Sequence, residues 1–67
     1  MVPSTELVRP VREIAHDLNN VLGVVLSYGA FVAEEVEDGS PAKADAKEIL
    51  VAANRAAALV RELLAGP

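Results

Sequence analysis

The chain has no cysteine, no tryptophan, one histidine, one phenylalanine and one tyrosine among its 67 residues. Without cysteine there is no disulfide framework and no thiolate metal site. A single histidine cannot supply the clustered imidazoles of the usual zinc centre, so no metal site is expected. Basic residues are sparse as well: six against ten acidic ones, scattered, for a net charge of −4. A nucleic-acid partner would want a basic stripe with stacking aromatics, and none is expected here. No apolar run reaches the roughly 18–20 residues of a membrane span. The longest, residues 21–33, is broken by Gly23, Ser27, Tyr28 and Gly29. The first residues lack the basic-then-apolar order of a secretory leader. The expectation is a cytoplasmic chain with no membrane span.

What remains is rich in alanine, valine and leucine, and few stretches alternate with a period of two, which points to helix rather than sheet. Met1 to Pro3 reads as frayed, and Ser4 as the cap of a short turn carrying Leu7 and Val8. Pro10 lacks an amide hydrogen and crowds the preceding turn. Either the main helix begins there, or a longer helix kinks there; the kink is the preferred reading. From Val11 the apolar residues fall on a heptad. Position a holds Val11, Leu18, Val25 and Val32, position d holds Ile14, Val21 and Tyr28, and position e holds Ala15, Leu22, Gly29 and Val36. Three apolar positions per heptad make the broad stripe of a bundle helix.

The first helix is predicted over about 10–37. Asp38-Gly39-Ser40-Pro41 then stops one helix and starts another: Gly39 suits a left-handed terminator, Ser40 an N-cap and Pro41 a first turn. The second helix, about 41–65, repeats the stripe with Ala46, Ala53 and Val60 at a, Ile49, Ala56 and Leu63 at d, and Leu50, Ala57 and Leu64 at e. Gly66-Pro67 ends it. The fold class is therefore all-α, one domain over 1–67, built as an antiparallel helical hairpin. Chains below roughly 70–80 residues seldom bury enough apolar surface alone. Two hairpins closing a homodimeric four-helix bundle would cover both stripes, so a second copy is the expected partner, the alternative being a separate partner domain that covers the stripe.

In this register His16 falls at f, farthest from the core. Asn20, Gly23 and Ser27 follow it along one small, polar ridge, flanked at g by Asp17, Val24 and Phe31. Spacing alone reads a lone histidine on a helix as a solvated side chain. Glycine in a helix costs about 1 kcal/mol relative to alanine. For Gly29 close helix approach explains that cost. Gly23 faces water, where a partner's backbone passing over the turn is one reason for it. A nucleophile beside small residues and a partly covered apolar strip suits a protein-docking surface.

The run Glu13-Ile14-Ala15-His16-Asp17-Leu18-Asn19-Asn20-Val21-Leu22-Gly23 strongly resembles the H box of sensor histidine kinases, in the branch reading His-Asp-x-Asn-Asn. Asn54-Arg55-Ala56-Ala57-Ala58-Leu59-Val60-Arg61-Glu62-Leu63-Leu64-Ala65 resembles the end of the second helix of the same dimerisation and histidine-phosphotransfer domain. The resemblance extends over nearly the whole chain, about 7–65. The resemblance implies that His16 accepts a phosphoryl group from ATP and passes it to an aspartate of a response-regulator receiver. It implies that Asp17 orients the imidazole and that Asn20 positions water for dephosphorylation. Adjacent helix residues do not face one another whereas residues three apart do, so spacing favours Glu13 over Asp17 as the carboxylate partner. The resemblance favours Asp17. Receiver contacts are expected at Asn20, Gly23, Val24, Ser27 and Phe31. Many relatives have proline where Val21 stands, so a straighter helix is expected.

No phosphate-cradling glycine loop or nucleotide box is present. The chain is therefore expected to hold no cofactor and not to phosphorylate itself. ATP and Mg would enter only through a separate ATP-binding kinase domain. The chain reads as a piece of a transferase or as a stand-alone phosphorelay module. The competing reading is a purely structural dimerisation hairpin, or a degenerate domain, in which His16 is incidental.

Overall fold

The computed structural model describes residues 9–66. They form two helices, α1 (Val11–Glu35) and α2 (Pro41–Ala65), each of 25 residues. At 1.5 Å per residue each is about 37 Å long, and they pack against each other as a hairpin. The capping proposed for Ser4 lies outside the described residues. The kinked longer helix is corrected. Arg9 and Pro10 are not helical, and Pro10, at φ −56° and ψ 142°, sits at the N-cap position. A proline there loses nothing, because the first amides of a helix have no intrahelical acceptor. Beyond it α1 runs unbroken through Val21.

The C-terminus of α1 comes two residues earlier than the heptad suggests. Val36 turns extended (φ −90°, ψ 156°), though its amide still donates to the Val32 carbonyl at 3.1 Å. Two parallel axes lie about 8–10 Å apart, and the chain spends residues 36–40 crossing that gap. Gly39 (φ 80°) is thus the left-handed residue of the connection rather than the terminator of α1. Ser40 starts α2, its Oγ accepting from the Lys43 amide at 3.1 Å, with Pro41 in the first turn. At the far end Gly66 (φ 68°) donates its amide to the Glu62 carbonyl at 3.2 Å.

Neither helix has a basic residue in its last turn. Each takes a cation from the other instead. Lys43 Nζ donates to the Ala33 carbonyl at 2.5 Å and pairs with Asp38 at 3.1 Å. Arg12 Nη2 reaches the Leu64 carbonyl at 3.5 Å. Carbonyls left over at a helix C-terminus carry partial negative charge, which these side chains neutralise.

The buried core consists of small side chains: Ala15, Ala46, Ala53, Ala57 and Val60. Around them Leu22, Leu26, Gly29 and Ala33 of α1 are half-buried, as are Val36 of the connection and Leu50, Ala56, Ala58 and Leu64 of α2. A Cβ placed on Gly29 would lie 2.9 Å from Leu50 Cδ2, so glycine is what admits Leu50 at that level. Within the heptad, α1 therefore meets α2 through position e, with Leu26 and Ala33 beside it. Positions a and d stay open: Leu18 is 45% exposed, Val21 56% and Tyr28 65%, and Val11, Ile14, Val25 and Val32 are exposed too. On α2, Ile49 and Leu63 are exposed in the same way. At 100° per residue both open stripes lie roughly a quarter turn from the buried seam. Because the helices are antiparallel, the two offsets bring the stripes to one side of the hairpin. The result is a single layer with one apolar face uncovered, whereas a domain core normally lies between two layers.

Candidate functional site

Ala15 is the most buried side chain of α1, 1% exposed. Pinned against α2, it fixes the rotation of the helix at this level and turns His16, the next residue, to the surface. His16 is exposed, and so are Glu13, Asp17 and Asn20. From His16 to the middle of the apolar face is nearly half a turn of the helix. The hairpin thus carries its imidazole on one side and its open stripe on the other. Among the described residues there is no cavity and no cluster of three metal-ligating side chains. The ring stands in solvent, so any enclosure around it would have to come from another molecule.

Asn20 lies one turn beyond His16, where side chains on a helix are about 5–6 Å apart at Cβ. Gly23 follows, and nothing lies within 4 Å of the Cβ it lacks. Ser27 continues the ridge, exposed like Asn20. Val24 and Phe31 are less covered than a half-buried flank, at 57% and 53% exposed. Phe31 meets Tyr28 edge-on, ring centroids 5.6 Å apart and planes at 89°. That contact joins the outer edge of α1 to its apolar face. All eight residues singled out from the sequence stand on α1 and are exposed.

The carboxylates have a partner the spacing argument did not supply. Arg9 Nη2 donates to Asp17 Oδ2 at 2.5 Å, and Arg9 Nε lies 3.5 Å from Glu13 Oε1. The hydrogen bond to Asp17, then its charge, and then Glu13 hold the guanidinium above its ordinary pKa. Neither carboxylate is hydrogen-bonded to His16. The residues 9, 13 and 17 are spaced by four, which on an unbroken helix would have suggested this contact. Pro10 hid it, since a break there removes Arg9 from the helical count.

Chemically, the arrangement offers an accessible imidazole nucleophile, two carboxylates next to it, an amide one turn away and a smooth strip for a partner to approach. A neutral imidazole needs one ring nitrogen unprotonated to attack, and a carboxylate accepting from the other nitrogen favours that tautomer. No protein family, no curated protein and no solved structure matches the chain.

Proposed function

We propose that the hairpin is the phosphoacceptor and dimerisation domain of a two-component sensor histidine kinase, a cytoplasmic signalling phosphoprotein. The reading is supported above all by one observation: the only histidine is exposed on the side of the hairpin opposite an uncovered apolar face. Two copies joined through that face form a homodimeric four-helix bundle, leaving the His16 ridges outside. In the first reaction a ring nitrogen of His16 attacks the γ-phosphorus of ATP held with Mg by a separate ATP-binding domain. The N–P bond forms as the bond to the bridging oxygen breaks, and ADP leaves. Asp17 accepts a hydrogen bond from the other ring N–H and stabilises the positive charge that grows on the imidazole. In the second, a carboxylate oxygen of a receiver aspartate attacks the same phosphorus and the N–P bond breaks. Such transfers ask mainly for positioning and charge stabilisation, which a rigid helix gives. Asn20 positions water in the competing hydrolysis.

The test is incubation with a catalytic domain of this kinase class and labelled ATP. The expected product is a phosphoramidate, labile to acid and stable to base, that is absent from His16→Ala. Label that survives acid, or that persists in His16→Ala, rejects the assignment. Two alternatives are separated by repeating the assay with a phosphorylated receiver as the donor. A structural hairpin takes no label from any donor, and the engagement of both carboxylates by Arg9 rather than His16 favours that reading. A phosphorelay module takes label only from a phosphorylated receiver.

The receiver is placed over Asn20, Gly23, Val24, Ser27 and Phe31. Gly23→Ala fills open space and removes about 1 kcal/mol of helix penalty per chain, so thermal unfolding should move up. Transfer to the receiver should slow at the same time, because the added methyl stands where the partner backbone passes. Ser27→Glu should slow transfer with the oligomeric state unchanged. If both variants transfer at the parent rate, this ridge is not where the receiver sits.

A further inference from the structure

Arg9 precedes the helix, and the extended Pro10 lays its side chain back along the outer surface of α1. There it meets both acidic groups near the imidazole: Asp17 at 2.5 Å and Glu13 at 3.5 Å. On the helix, Asp17 lies about 100° round from His16, with Glu13 between them. The guanidinium bridging Glu13 and Asp17 therefore occupies the Asp17 carboxylate at the edge of the ring's surroundings, and Asp17 accepts from Arg9. A carboxylate neutralised by a guanidinium is also a weaker acceptor for a second donor. Arginine stays charged at any pH where a histidine acts as nucleophile, so the competition is always present.

We infer that Arg9 is a positioning residue of the His16 site: it withholds Asp17 from the imidazole, and its displacement releases Asp17 to orient the ring. The inference rests on the phosphotransfer reading of His16. It gives the chain just before α1 a direct hold on the nucleophile, with no need to rotate or bend the helix. Ion pairs this exposed are screened by solvent and shift a population by no more than about 1.4- to 5-fold. The contact is accordingly a bias that a small displacement can reverse, not a lock.

The whole chain with ¹⁵N-labelled histidine provides the test. In Arg9→Ala the ring nitrogen shifts should move towards one tautomer, protonated on the nitrogen that faces Asp17. In Arg9→Ala combined with Asp17→Asn they should return to the parent values. Ring shifts equal in Arg9→Ala and the parent overturn the inference, as does a shift that survives removal of the Asp17 charge. With a separate catalytic domain and ATP, label should enter Arg9→Ala about 1.4- to 5-fold faster than the parent, and an equal or slower rate also overturns it. If the ring shifts respond as expected and no variant takes label, the Arg9–Asp17–His16 competition stands and the phosphotransfer reading falls. All the altered side chains are exposed, so the helical signal of the variants should match the parent.

Discussion

With glutamate at both Leu18 and Val25, the chain is expected to be monomeric and to lose most of its helical signal. In the hairpin these side chains are 45% and 37% exposed, on the face that α2 leaves open. Fully covering a leucine or valine stabilises by about 1.5–3 kcal/mol relative to leaving it exposed. In a symmetric pair each substitution counts twice, because the same patch meets itself across the axis. The double variant therefore removes four apolar contacts and places four carboxylates in the seam. Each unpaired buried charge costs several kcal/mol, more than a small helical dimer has to lose. Sedimentation equilibrium gives the mass, and circular dichroism the helicity. A variant that keeps the parent's mass and helicity would show that this face is not the seam. A parent chain that is a stable monomer would remove the reason for one.

The second large effect concerns Asp17. Positioned proton acceptors contribute about 10²–10⁴-fold to the reactions they assist. On the phosphotransfer reading, Asp17→Asn should therefore lower the initial rate of His16 phosphorylation by roughly a hundredfold or more, with the oligomeric state unchanged. Glu13→Gln should change it little. The opposite pattern would mean that the residue three positions before the histidine, better placed by helical spacing, is the one that works. Both residues are exposed and neither is in the core, so loss of folding does not confuse the comparison. Label incorporation per chain over the first minutes measures both.

The hairpin itself was legible because its signals are local. Ser40 and Pro41 supply an N-cap and a first-turn residue to the run that follows, and the apolar period of the two flanking runs needs no tertiary information. The end of α1 was not legible. Val36 sits at an apolar heptad position, and nothing nearby says that the chain must leave the helix early to bridge two axes. Nor was the edge of the stripe that α2 occupies, since a, d and e are all apolar. Side-chain size held the clue: the close approach went to Ala15 and Gly29, and the bulky a and d residues were left outside. For the site, exposure of His16 followed from the heptad alone. The Arg9 contact did not, because it depends on the direction in which Pro10 returns the chain.

The Arg12–Leu64 contact has a mechanical consequence. The start of α1 and the end of α2 stand side by side, at the end of the hairpin remote from the 36–40 connection. Tension applied between those two points pulls across the helix axes rather than along them. The rungs then part in sequence, as in an opening zip, beginning at Arg12 and Ala15 and finishing at Lys43. His16 belongs to the rung that gives way first, so a modest tug would disturb the imidazole while most of the structure stays closed.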